Sequence, residues 1–300
     1  MAKFRARART VDMLGRQQIA GAATAISELF KNAHDAYAER GEVDYYRPDG
    51  VFLLRDNGIG MTREEFEDKW LTLGTESKVG GGILPYRPAG VEERLVMGEK
   101  GIGRLAIARI GPQVLVMTRA KRDQTLHDLV VGLVNWELFE IPGLNLDEVE
   151  IPVATIPDGG LPNKALIEEM VAQLLVSIRG LSGRIAPATL SRIQRNLGRF
   201  SAEPARIDAF FNTGDALTPG MLPLSLAGAG FGTHFLIQPA DSFLGEEIDR
   251  DDPRSDSEPA FTKFLVGFGN EMVPGARPPA IRTAFRDWKS PEVGSELISG

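Results

Sequence analysis

The chain has 300 residues, with 34 Lys and Arg against 41 Asp and Glu, a net charge of −7 and 43% apolar residues. These are ordinary values for a globular protein of one large or two moderate domains. It contains no cysteine, which excludes a disulfide framework, a thiolate zinc site, an iron–sulfur cluster and a cysteine nucleophile. Its three histidines, His34, His127 and His234, are far apart in sequence, so any metal is expected to be hard and oxygen-bound, such as Mg²⁺.

Residues 241–258 carry eight acids against two bases, which accounts for nearly all of the −7 and leaves net charge uninformative about partners. No run of about eighteen apolar residues exists to span a membrane. The start, MAKFRARART, lacks the apolar stretch of a signal peptide, so a cytoplasmic protein is expected.

In chain order, residues 1–10 alternate basic with small or apolar side chains (Lys3, Arg5, Arg7, Arg9), a period of two that fits a strand or an extended arm. Residues 11–40 read as one long helix. With Glu28 as zero on its wheel, Asn32 falls at about +40° and Asp35 at about −20°. Ile19, Ala22, Ile26, Leu29, Phe30, Ala33 and Tyr37 fall between about +100° and +200°. One stripe is therefore core, and the other presents carboxylate, amide and carboxylate at i, i+4 and i+7. A solvated face has the same spacing, but Asn is a poor interior helix former, which points to a use.

VFLLRDNGIGM follows, with an apolar strand over Val51–Arg55 that ends in Asp56. Gly58 and Gly60 then alternate with Ile59 and Met61. An Asp at a strand end can accept from an exocyclic amine, while Ile59 and Met61 offer apolar surface to a flat ring. An Asn-Gly turn joining two strands fits the same residues. A calcium loop does not, because Gly58 and Gly60 fall where side-chain oxygens are needed. A helix is expected from Thr62 to Leu73, since Thr62, Glu64 and Glu65 suit an N-terminus. Val79–Gly90, rich in Gly and Pro, reads as a loop.

GEKGIGRLAIARIG places Gly98, Gly101 and Gly103 at the entry to a helix, where free N–H groups suit a phosphate. No G-x-x-x-x-G-K-[ST] occurs, so this is not a P-loop. Gly101-x-Gly103-x-x-Ala106 also matches a dinucleotide fingerprint, with Asp123 as its acid. Only Leu95–Met97 could be the preceding strand, and that reading leaves the first helix and DNGIGM without a role. Strands at Gln113–Arg119, Asp128–Val134, Phe231–Ile237 and Phe264–Phe268 and helices at Asn163–Ile178 and Ala186–Phe200 complete the pattern. Neither period nor motif organises residues 201–230.

Together and in this order, ISELFKNAHDAY, RDNGIGM and GEKGIGR resemble the signature boxes of the GHKL ATPase superfamily, which includes DNA gyrase B, the large heat-shock chaperone ATPase, sensor histidine kinases and the mismatch-repair ATPase. WLTLGTESK followed by GEKGIGRLA is similar to the heat-shock-chaperone-like and MORC-like bacterial branches. The resemblance implies an α/β (α+β) two-layer sandwich, the Bergerat ATP-binding fold, in which helices cover one face of a mixed, mostly antiparallel sheet. It implies a core at 1–160 with an arm at 1–10 and a lid at about 71–103, a helical insertion or extension at 161–230, and late strands leading to a linker or transducer at 231–300.

Carried onto this sequence, the resemblance makes Glu28 the general base and gives the Asn32 amide oxygen to Mg²⁺. Asp56 becomes the acceptor of the adenine amino group, with Asp35 adenine-side or structural. Gly58, Gly60 and Met61 would shape the base pocket. Gly98, Lys100, Gly101, Ile102 and Gly103 would belong to the lid hinge and triphosphate cradle. Thr75, Ser77 and Lys78 would fall in the lid, with Lys78 as the γ-phosphate contact and a solvated loop lysine as its alternative. Gly232-Thr233 is the match to a later phosphate-contacting Gly-Thr pair, and an ordinary strand threonine is its alternative. The implied function is Mg-dependent ATP hydrolysis gating a conformational cycle through an ATP-dependent homodimer, in nucleic-acid transactions, phage defence or chaperone-like work on a nucleic-acid or protein client. A histidine kinase catalytic domain and a non-hydrolysing ATP-binding module are the alternatives.

Overall fold

The computed structural model describes residues 5–73, 86–97, 103–211, 223–249 and 281–289. Its organising element is a seven-stranded sheet in the order β5-β4-β3-β6-β2-β1-β7. The strands are β1 (Arg40–Tyr46), β2 (Val51–Asp56), β3 (Gln113–Arg122), β4 (Thr125–Asn135), β5 (Val153–Ile156), β6 (Gly232–Ile237) and β7 (Arg282–Trp288). All neighbours pair antiparallel except β1 and β7, so the sheet is mixed and mostly antiparallel.

The helices are α1 (Arg9–Leu14), α2 (Ala22–Asp35), α3 (Arg63–Glu65), α4 (Lys164–Gly180), α5 (Pro187–Gly198), α6 (Pro204–Phe211) and α7 (Phe243–Asp249). Helix α3 continues as a π-helical turn, Phe66–Trp70, and a 3₁₀ helix spans Gly103–Arg109. No described helix is long and apolar enough to cross a membrane.

Every residue of β2 is buried, as expected of a central strand covered on both faces. On one face, α2 lays Ile26, Leu29, Phe30 and Ala33 into the core, and the Phe30 ring approaches Gly41 of β1. On the other face lies α6, from the stretch after β5. There Phe211 of α6 lies 4.2 Å from the Arg55 guanidinium, and Tyr46 stacks on Trp288 at 5.3 Å. The sheet-and-helix sandwich thus carries an additional helical cover on the face away from α2.

The single helix expected over 11–40 is instead two helices and a strand. The chain between α1 and α2 is not helical, and the Ala22 N–H that opens α2 is capped by Glu247 Oε2 at 2.6 Å, from α7 far along the chain. Helix α2 stops at Asp35, Tyr37 takes φ +60°, and β1 begins at Arg40. Likewise the basic arm is not extended throughout, because α1 starts at Arg9 while Arg7 bridges to Asn145.

Strand β1 carries Glu42 and Asp44 in its buried interior. A buried charge is tolerated only when paired. Arg55 reaches both acids at 3.1 Å, Arg286 reaches Asp44 at 2.6 Å and also pairs with Glu42, and Trp288 Nε1 donates to Asp44 at 3.0 Å. This network fastens β7 to the sheet. Thr62 and Glu65, expected at a helix N-terminus, form a capping box, with N···O distances of 3.0 and 3.2 Å. The strand expected at Phe264–Phe268 lies outside the described residues.

Candidate functional site

Helix α2 and the end of β2 bring most of the described motif residues to one side of the sheet. Because α2 buries its apolar stripe, Glu28, Asn32 and Asp35 share the flank turned from the core, as the wheel requires. The 3₁₀ helix starts against this flank. A β-carbon on Gly103 would lie 2.8 Å from Glu28 Oε2 and 3.7 Å from the Asn32 amide nitrogen, so any larger residue there would push the Glu28 carboxylate aside. Arg104, next in sequence, donates to the Thr72 carbonyl and ties the 3₁₀ helix to the end of the π-helical turn. Lys31 Nζ sits 2.7 Å from Glu28 Oε1. Asp35 accepts from the Met97 N–H at 2.8 Å, which holds the 86–97 segment on α2.

Asp56 ends β2 with only 4% of its surface exposed. Its Oδ1 accepts from the Gly58 N–H at 2.8 Å and the Thr233 N–H at 3.3 Å. Both donors are spent on one oxygen, and Oδ2 has no hydrogen-bond partner among the described residues. Burial raises the carboxyl to about 7, the two backbone donors only partly offsetting it. Beyond it the chain turns through Gly60 at φ +60°, where a β-carbon would meet the Arg119 carbonyl at 2.0 Å. The turn is pinned at both ends of Ile59, whose N–H donates to Ala36 O at 2.8 Å and whose carbonyl accepts from the Lys121 N–H at 3.0 Å.

Beside Asp56 is a pair of hydroxyls. Register places Thr233 opposite both Asp56 and Thr118, and the two threonine oxygens lie 2.9 Å apart. Thr118 Oγ1 also accepts the Met61 N–H at 2.9 Å. Thr233 therefore stands beside the residue read as the base acceptor. Sequence reasoning missed Thr118 and Lys31. A threonine within an apolar strand gives no signal by itself, whereas Lys31 could have been found as an i, i+3 partner of Glu28.

Lys78, Gly98, Lys100, Gly101 and Ile102, with Thr75 and Ser77, lie outside the described residues. The dinucleotide reading does not survive. Leu95–Met97 is not a strand, the described strands on either side of the 3₁₀ helix form no parallel βαβ unit, and Asp123 is a turn residue at φ +54° engaged with the Tyr86 hydroxyl at 2.7 Å. Among the described residues no three His, Asp or Glu side chains gather to hold a cation by themselves.

Comparison with known families matches residues 20–154 to the family described as histidine kinase-, DNA gyrase B-, and HSP90-like ATPase. The matched span takes in α2, the Asp56 turn and the Gly103 helix. No curated protein matches the chain.

Proposed function

Through residues 20–154 the chain belongs to the GHKL ATPase superfamily, and from that premise we propose that it binds Mg-ATP between α2 and the Asp56–Met61 turn and hydrolyses it. The observation that carries this reading is a joint placement: Glu28 and Asn32 on one flank of α2, Gly103 packed on both, and a half-satisfied buried Asp56 on the same sheet face.

The residues suit the nucleotide at both ends. Asp56 Oδ2 is free to accept the adenine amine, and the Thr118–Thr233 hydroxyl pair adds polar contacts beside it. Thr233 is accordingly assigned to the base side. Gly58, Gly60 and Met61 shape the wall of that pocket, and Asp35 holds the 86–97 segment close to it. At the other end Gly103 leads a helix whose first N–H groups favour phosphate. Lys78, Gly98, Lys100, Gly101 and Ile102 are assigned to the phosphate side from the resemblance alone.

A Mg²⁺ ion would take the Asn32 amide oxygen together with phosphate and water, and when bound it would neutralise phosphate charge. Glu28 acts as general base: it takes the proton of a water whose oxygen bonds to the terminal phosphorus as the bond to the bridging oxygen breaks. ADP and phosphate leave, and Glu28 returns its proton to solvent. Lys31, paired with Glu28, is a positioning residue that fixes the carboxylate.

The 1–160 stretch is proposed as the core, completed by β6 and β7, with 161–230 a helical addition. ATP-dependent homodimerisation is part of the proposal. Leu95, Val96 and Met97, exposed by 89, 49 and 43% beside Asp35, form an apolar strip that a second copy would cover. Phosphate release from ATP by the purified protein, with and without Mg²⁺, tests the reading. Absence of Mg-dependent release above background would overturn it.

A further inference from the structure

The described residues enclose a large cavity apart from the proposed nucleotide site. It is a cleft of about 900 Å³ on the far side of the 3₁₀ helix, and none of Glu28, Asn32, Asp56, Thr118 or Thr233 lines it. One wall is the π-helical turn with Trp70 and Leu71, the floor holds Trp136 and Phe139, and the opposite wall is α4 with Ala172 and Val176. Val176 is 64% exposed, a large apolar side chain left open on a helix. The volume falls in the range of built ligand sites rather than packing defects.

Three features define what fits. Four charged side chains line the cleft: Arg63, Glu67, Glu150 and Glu169. Arg63 pairs with Glu67, while Glu150 accepts from the Ser177 hydroxyl at 2.7 Å and Glu169 from the Gln173 amide at 3.3 Å, so neither acid has a basic partner among the described residues. The Trp136 indole N–H is buried and has no acceptor. Finally, Val153 on the edge strand β5 already has its carbonyl taken by Arg63 Nη1 at 3.2 Å, so an occupant is not recruited there by strand addition.

We propose that this cleft is a docking site for a partner peptide segment that presents apolar side chains beside Lys or Arg. Such a segment supplies apolar surface for Trp70, Phe139 and Val176 and a cation for Glu150 and Glu169. A fatty acid or anionic lipid matches the apolar walls but brings its charge against two carboxylates that have no basic partner among the described residues. The site is independent of the nucleotide chemistry assigned above, and its test needs no ATP.

The probe is a short synthetic amphipathic Leu/Lys peptide, with its Leu/Glu counterpart as control, titrated into the full chain by tryptophan fluorescence and calorimetry. Trp70 and Trp136 report from the cleft itself. The proposal predicts saturable one-to-one binding of the Leu/Lys peptide and at least tenfold weaker binding of the Leu/Glu peptide. Ala172→Arg, on an exposed position, should weaken binding at least tenfold, and Val176→Gln should weaken it severalfold. Glu168→Gln makes the same unit change in charge outside the cleft and should leave affinity unchanged. Non-saturable binding, or equal losses in Ala172→Arg and Glu168→Gln, would overturn the proposal, because general attraction to an acidic protein would then account for the signal. Saturable binding of the Leu/Glu peptide with equal affinity would overturn it as well.

Discussion

Gly103 stands so close to Glu28 that a β-carbon on it would come within 2.8 Å of the Glu28 Oε2 oxygen. Gly103→Ala therefore displaces the carboxylate without altering its chemistry. A misplacement of about 1 Å at a reacting group costs on the order of 10²-fold in rate. The expected outcome is a kcat lowered by that order with ATP affinity changed less than threefold, read from steady-state turnover and calorimetry on the same protein.

Lys31 holds the other oxygen of that carboxylate at 2.7 Å. Lys31→Met should lower kcat by about five- to tenfold and leave KM nearly unchanged, since it orients the base but touches no substrate. In a double-mutant cycle with Glu28→Ala the second substitution should add little, because both act through one group. Independent, additive losses would place Lys31 elsewhere in the mechanism.

Asp56 makes opposite demands on stability and binding. Its carboxyl is raised to about 7 by burial, above its unfolded value. The stability that its proton contributes is thus fully present below about pH 4 and lost as the pH rises through about 7. Asp56→Asn removes this cost, so thermal melting at pH 8 should rise relative to wild type while ATP affinity falls by tenfold or more. Binding of the amine favours the ionised carboxylate. Wild-type affinity should accordingly rise by about tenfold in all between pH 6 and 8, most of it below 7, beyond whatever slope Asp56→Asn retains.

Arg286 bears on the fold rather than the site. Without it Glu42 keeps Arg40 and a share of Arg55, and Asp44 keeps only its share of Arg55 and the Trp288 indole N–H inside the sheet. Arg286→Met should cost up to about 3–5 kcal/mol in urea unfolding, the penalty of a broken buried pair. Arg55 and Arg286 hold the Glu42 carboxyl below the usual range against the opposing effect of burial. That stabilisation is present above the unfolded carboxyl pKa and is lost as the pH falls through the lower folded value, so the variant's deficit should shrink in acid.

These residues also mark what the sequence could and could not disclose. The apolar stripe of α2 and the all-apolar run of β2 carry their periods openly, and the Glu28–Asn32 flank followed from the wheel alone. Strand β1 did not disclose its burial, because Glu42 and Asp44 alternate with Val43 and Tyr45 as the acids of a solvent-facing side would. Their burial depends on Arg55 and on Arg286, more than two hundred residues away. The break before α2 was hidden for the same reason, since its cap is Glu247 from a distant helix. Thr233 was visible as a match but not as a neighbour of Asp56, because strand order cannot be read from spacing. Long-range pairing decided each of these.

The central claim is that Glu28 is the base in ATP hydrolysis, and its most direct measurement is phosphate release by Glu28→Ala alongside ATP binding by the same preparation. The account predicts turnover lowered by about 10²–10⁴-fold with ATP affinity within a few fold of wild type. Turnover equal to wild type, with binding intact, would contradict it.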